Sequence, residues 1–151
     1  MRHASLIALS HDHHRGLALA LRCRKQALGQ LKPMGATGLK LRAEECLDFY
    51  KKNLVGHFGA EEEILFPAMR AAAPESAVLI EELLSQHAQL QRLMPQLEAG
   101  TGLAKLIFDL GDLLEAHIRK EERELFPLFE IHMEASQAES IGAEINERLV
   151  G

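Results

Sequence analysis

Residues 57–67 read His-Phe-Gly-Ala-Glu-Glu-Glu-Ile-Leu-Phe-Pro, and sixty residues later 117–127 read His-Ile-Arg-Lys-Glu-Glu-Arg-Glu-Leu-Phe-Pro. The shared frame is H-x-x-x-E-E-x-x-L-F-P. On an α-helix, residues i and i+4 share a face, so His57 with Glu61, and His117 with Glu121, each aim an imidazole and a carboxylate at one point. One such pair is ordinary on a solvated helix. Two, with the same Leu-Phe-Pro behind them, indicate a helical unit used twice.

Outward from these segments, breakers divide the chain into four long helical stretches. The first spans about 5–31 and stops before Pro33, Gly35 and Gly38; Leu6, Leu9, Leu17, Leu21, Leu28 and Leu31 keep helical spacing along it. The second spans about 39–71, and Pro67, unable to donate the i−4 hydrogen bond, is expected to kink or tighten its last turns. The third starts near Pro74, a good first-turn residue, and ends before Gly100. Thr101 is placed to cap the fourth, which reaches about residue 129. Residues 136–150 fit a short fifth helix with a packing role, carrying Ile141, Ile145 and Leu149 on one face. The expected fold is all-α: one domain over 1–151, with an up-down-up-down antiparallel four-helix bundle at about 5–130 and a short C-terminal helix in the extension 134–151.

Composition agrees. The 151 residues are 47% hydrophobic and poor in aromatics, a balance that favours helix formers. A net charge of −5 without a basic run argues against nucleic-acid and anionic-membrane surfaces. The apolar runs are too short to span a bilayer and no signal peptide is readable. Cys23 and Cys46 form no metal spacing, and two unpaired thiols fit a reducing cytoplasm.

Height in the bundle makes the repeat a candidate site. In an antiparallel hairpin, residues equidistant from the turn lie level. His13 and His57 are centred on Gly35, His57 and His87 on Ala72, and His87 and His117 on Gly102, each in a connecting loop. Four histidines, one per helix, therefore share a layer, with Glu61 and Glu121 about 6 Å along the axis. Ionisable groups converging in a core need a partner, and a metal supplies it. If both glutamates bridge and two histidines serve each ion, each has four protein ligands. An oxo or hydroxo bridge brings each to five and leaves a position for a small molecule. Imidazole and carboxylate suit iron or manganese; zinc stays open.

The two repeat segments, the Asp12-His13-His14 start and the lone His87 resemble the hemerythrin-like (HHE cation-binding) domain, over about residues 5–130. The resemblance implies a non-haem di-iron centre of His4Glu2 type, with ligands His13, His57, Glu61, His87, His117 and Glu121. It also implies chemistry with dioxygen, peroxide or nitric oxide. Oxygen-carrying hemerythrins place a further histidine four residues after the third-helix one, where this chain has Gln91. They also use an aspartate five residues after the fourth-helix histidine, where this chain has Glu121 at four. The set is more similar to that of the repair-of-iron-centres proteins and the iron-sensing F-box protein. A protein that binds or senses a small diatomic, or iron, is thus expected. A di-iron oxidoreductase acting on peroxide or nitric oxide, or an iron donor in iron–sulfur repair, is the alternative. A His/Glu layer that binds zinc or nothing and serves as scaffold is the third reading.

Other residues have plainer readings. Helical phase favours His13 over His14 as the first-helix ligand and leaves both open; His11, His3 and His132 are read as solvated, His132 with a capping option. Glu62, Glu63, Glu122 and Glu124 are read as solvent-facing, with a hydrogen bond from Glu62 and Glu122 to a ligand histidine as the lesser option. Leu65, Phe66, Leu125 and Phe126 read as core that also walls the site. Tyr50 falls on the ligand face, as packing or as a hydrogen-bond donor to a bound oxygen species. Gln91 reads as a polar residue facing the opening of the site.

Overall fold

The computed structural model describes residues 2–150, and among them every regular element is helical. The first rod is a 3₁₀ turn (Ala4–Leu6) running into α1 (Ile7–Ala27). The second is α2 (Gly35–Phe49), α3 (Val55–Ala60) and α4 (Phe66–Ala72), spliced by π-helical turns at Tyr50–Leu54 and Glu61–Leu65. The third is the 3₁₀ turn Pro74–Ser76 with α5 (Ala77–Ala99). The fourth is α6 (Leu103–Lys120) and α7 (Phe126–His132), spliced by a π turn at Glu121–Leu125, and α8 (Ala135–Val150) is a fifth rod. No helix of the described residues is long and apolar enough to cross a membrane.

Side-chain pairs show how the rods lie. Cys23 meets Cys46 and Arg22 meets Glu45, on opposite arms of the first loop. Arg70 meets Glu81, and Lys120 meets Glu82, across the next two loops. Arg24 bonds Glu115 while Arg2 bonds Glu130, closing the first rod against the fourth. Each pair across a loop joins residues roughly equidistant from it, as antiparallel neighbours require.

Three boundaries differ from the sequence reading. The first rod stops at Ala27 because Gly29 takes φ +74° and the backbone reverses there. The buried Gln26 then donates to the carbonyls of Leu31 and Pro33, pinning the loop. Thr101 does not cap the fourth rod; Gly102, at φ +65°, leads directly into Leu103. Pro67 and Pro127 do not tighten their rods but follow a widened turn. The amide of Phe66 bonds back to Glu61, and that of Phe126 to Glu121, an i→i−5 step. A proline at position 67 cannot donate to the carbonyl of Glu63 and its ring crowds it, and a π turn relieves both.

The apolar interior is in two clusters. One holds Leu6, Leu9, Phe66, Met69, Ile80, Leu83, Phe126, Phe129 and the inner face of α8. The other holds Leu19, Cys23, Cys46, Phe58, Leu90, Met94, Leu110, Leu114 and Ile118. Along every rod of the bundle, the predicted site residues lie between the two. Cys23 and Cys46 are both buried, with Sγ atoms 3.4 Å apart, and their mutual contact and burial push the Cys46 thiol far up. Such a thiol is inert.

The fifth rod is an integral part of the first cluster: Ala138, Ile141, Gly142 and Ile145 are buried, with Leu149 packed beside them. It is seated on the first rod through Ser5, whose hydroxyl donates to the Ala138 carbonyl at 2.5 Å. A Cβ on Gly142 would lie 2.7 Å from the Ser5 Oγ. Gly142→Val is therefore expected to destabilise the protein by about 1–3 kcal/mol through overpacking. A thermal midpoint unchanged from the parent would show that α8 is not docked there.

Candidate metal centre

All six predicted ligands are brought to one place and removed from solvent. Side chains of His57, His87 and His117 are 1% exposed, His13 3%, and Glu61 and Glu121 0%. His11 and His14 lie exposed on the outside of the same helix, and of the three only His13 joins the buried cluster. The His13 and His57 ring centroids are 4.9 Å apart, and those of His87 and His117 4.8 Å. Every Nε2 turns toward the glutamates. His13 Nε2 is 2.8 Å from Glu121 Oε1, His87 Nε2 3.0 Å from Glu61 Oε1, His57 Nε2 3.3 Å from Glu61 Oε2, and His117 Nε2 3.4 Å from Glu121 Oε2.

Two quartets of donor atoms, each mutually within 4.8 Å, emerge from this geometry. One is His13, His57, Glu61 and Glu121, and the other is Glu61, His87, His117 and Glu121. Both glutamates belong to both quartets, as bridging carboxylates would. Glu61 Oε2, Glu121 Oε2 and His117 Nε2 are buried without a hydrogen-bond partner. Unsatisfied buried acceptors of that kind are costly, and a cation between the quartets satisfies them together. The residues present fit a pair of metal ions.

The outer face of each ring is held as well. His13 Nδ1 donates to Glu122 Oε2 at 2.5 Å, His57 Nδ1 to Asp12 Oδ2 at 3.1 Å, His87 Nδ1 to Glu62 Oε2 at 2.7 Å and His117 Nδ1 to Gln86 Oε1 at 2.8 Å. A proton fixed on Nδ1 leaves the Nε2 lone pair for the interior and locks the ring's orientation. Glu62, although exposed, and Glu122 thus take the hydrogen-bonding option and are not free surface charges; Glu63 and Glu124 are exposed and pair with Arg148 and Lys120. Gln86 was not singled out in the sequence, and Asp12 only as part of the Asp12-His13-His14 start. Their signal was adjacency, since each immediately precedes a ligand histidine.

Aromatic rings close the walls. Phe58 stacks on His87 with centroids 3.8 Å apart, and Phe126 lies parallel to His13 at 5.5 Å. Phe66 lies 5.8 Å from His87. Gln91 is exposed and takes no place in either quartet, whereas Tyr50 is partly buried against the second apolar cluster, edge-on to Phe58. His3 is partly buried, its Nδ1 accepting from the Ser5 amide, and His132 pairs with Glu75 at 3.2 Å. Both were read as solvated, which holds for the exposed His132 and not for His3.

A match to the hemerythrin HHE cation binding domain extends over residues 3–129. The chain belongs to this family. Its metal-binding character rests on that membership and on the two quartets. A DNA nickase of Nostoc sp. (strain PCC 7120) is 31% identical over 97 residues, which cover 62% of this chain and 27% of the nickase. The chain thus spans about a quarter of that relative's length. No solved structure matches it significantly.

Electrostatics in this HHE domain favour cations. Burial disfavours a charged His57, but Glu61, Asp12 and Glu121 outweigh it and hold the ring well above the ordinary value of 6.5. His13 and His87 are raised in the same way, burial being overcome chiefly by Glu121 and Glu61 respectively. Burial likewise opposes ionisation of Glu121, yet the surrounding histidines carry it well below 4.5. In the metal-free protein, protons on the rings take the place of metal charge. Their stabilisation is full below the unfolded value of about 6.5 and is lost as pH rises through the raised values; that of Glu121 is present above about 4.5 and lost as pH falls. Melting of the metal-free protein should therefore shift to lower temperature from mildly acidic toward alkaline pH, while the metal-loaded protein shows no such decline. A metal-free profile rising with pH would contradict the geometry.

Proposed function

We propose that this HHE domain is a non-haem di-iron protein that binds or senses a small diatomic, dioxygen or nitric oxide, or iron itself. The observation that supports it most is the sharing of Glu61 and Glu121 between two quartets, each with two histidines anchored at Nδ1. Neutral imidazole with carboxylate suits iron over soft-ligand metals, and inward glutamates on bundle helices are an established way to hold two such ions. Manganese and zinc fit the same donors less selectively. Iron in such a centre supplies redox chemistry and positions open to an exogenous ligand.

The chain's own residues supply the rest. His13, His57, His87 and His117 present Nε2 inward, and Glu62, Glu122, Asp12 and Gln86 keep them there. Phe58, Phe66 and Phe126 exclude water from three sides, which slows loss of bound ligand and protects the centre from side reactions. Glu62 is 40% exposed while bonded to His87 Nδ1, so it links a buried ring to solvent and can pass a proton at that nitrogen.

An enzymatic reading shares these features, since Gln91 leaves both quartets with the same number of protein donors. On that reading the protein is a di-iron oxidoreductase acting on peroxide or nitric oxide, or an iron donor in cluster repair. DNA nicking, named for the cyanobacterial relative, is not extended to this chain: a net charge of −5 offers little to a phosphate backbone.

Protein grown with iron should carry two irons per chain and gain near-ultraviolet and visible charge-transfer bands on exposure to dioxygen or nitric oxide. His57→Ala and Glu121→Ala should each reduce the iron count. Retention of both ions by either variant would refute the ligand assignment. One stoichiometric reaction per centre favours binding or sensing, and many turnovers of peroxide or nitric oxide with an electron donor favour the enzyme.

A further inference from the structure

The outer hydrogen bonds repeat with the same pseudo-symmetry as the ligands, except at one position. The residue after each bridging glutamate is a glutamate, Glu62 on the second rod and Glu122 on the fourth, and each reaches a histidine on a neighbouring rod. The residue before the histidine of the first rod is Asp12, and it holds His57; its counterpart on the third rod is Gln86, and it holds His117. The histidines of one quartet therefore both lean on carboxylates. In the other, one leans on a carboxylate and one on a neutral amide.

We propose that the two metal positions are unequal, with the His13–His57 position binding its ion more tightly and filling first because Gln86 stands where its counterpart carries a charge. This rests on the two-metal reading above. A carboxylate on Nδ1–H draws the proton outward, makes Nε2 a stronger donor and offsets the charge of the cation behind the ring. An amide oxygen accepts the same hydrogen bond without the charge. Ligand counts cannot create the difference, because each quartet has two imidazoles and the same two glutamates.

Neighbouring charges do not erase the contrast. Arg2 Nη2 lies 3.3 Å from Glu122 Oε1, so the carboxylate behind His13 is partly offset. Among the described residues no lysine or arginine pairs with Asp12, which is 14% exposed and faces His57. Lys120, three residues beyond His117, is balanced by Glu82 at 2.8 Å and Glu124 at 3.4 Å. The difference is carried by the Asp12–His57 and Gln86–His117 pair. These are positioning residues, since neither touches the ion.

The test is an anaerobic titration of the metal-free protein with ferrous iron against a competing chelator of known affinity, counting metal per chain. The parent protein should fill in two steps about 10–100-fold apart, the range expected for outer partners of metal ligands. Gln86→Glu, nearly the same size, should tighten the weaker step and draw the two together. Asp12→Asn should instead weaken the stronger one. His117→Ala should keep one ion at the tight affinity, and His57→Ala one ion at the weak affinity. Circular dichroism of each metal-free variant verifies the fold, and a merely structural role for Gln86 would not tighten binding on gaining a charge. Equal affinities for the ion retained in His57→Ala and His117→Ala, or a folded Gln86→Glu that leaves the weaker step unmoved, would overturn the inequality while leaving the two-metal centre standing. Failure of the parent to take up two ions would overturn the centre itself, and the inequality with it.

Discussion

Two carboxylates and four imidazoles share a dry layer across the middle of the bundle, and the rest of the structure is arranged around that constraint. Carboxylate burial on this scale is unfavourable unless opposite charge is brought in with it. In this chain the charge is supplied from inside by rings or ions and stabilised from outside by Asp12, Glu62 and Glu122. An apolar cluster above and another below keep water from doing the same work. The layer cannot be moved along the rods without breaking one cluster or the other. That is why the loops are pinned so firmly, with Gln26 tying the first, the Ser76 hydroxyl bonding the Ala73 carbonyl at the second, and the positive-φ glycines Gly100 and Gly102 ending and opening the helices at the third.

The π turns reconcile this layer with the packing beyond it. In a regular α-helix each four-residue step drifts about 40° around the axis, so Leu65 would stray from the face that carries His57 and Glu61. An extra residue in the turn at Glu61–Leu65 brings Leu65 back beneath the ligands and buries Phe66 beside it, and Glu121–Leu125 does the same for Leu125 and Phe126. Both aromatic rings then lie parallel to ligand histidines. The Leu-Phe-Pro that follows each H-x-x-x-E-E is thus part of the site: proline favours the wide turn, and the wide turn places the wall.

Much of this was legible in the sequence. The repeat identified two ligand pairs, and loop-centred arithmetic put His13 and His87 level with them, because rigid helices of fixed rise convert residue number into height. Helical phase favoured His13 over His14 for the same reason, without closing the choice. Residues whose roles depend on a neighbouring rod were harder to place. Glu62 and Glu122 look solvated on their own helices, and only the approach of His87 and His13 turns them into acceptors. Tyr50 takes the plainer of its two readings, packing edge-on to Phe58 against the second cluster, with the π turn at Tyr50–Leu54 between it and His57. Pro67 announced a disturbance without saying that the turn would widen.

The position of Gln91 bears on what kind of HHE domain this is. A fifth histidine one turn beyond His87 would have to point inward, yet the residue there is exposed, and Phe58 fills the space against His87 with a ring 3.8 Å away. The site has been closed on that side by packing instead of by ligation. The two quartets therefore offer equal numbers of protein donors, and a difference between them must come from outside those donors. Aromatic rings wall both quartets, Phe126 beside His13 and Phe58 with Phe66 beside His87, and carry no charge. The chief remaining asymmetry is in the ring of hydrogen-bond acceptors behind the histidines, where a carboxylate at Asp12 faces an amide at Gln86 across the pseudo-two-fold axis.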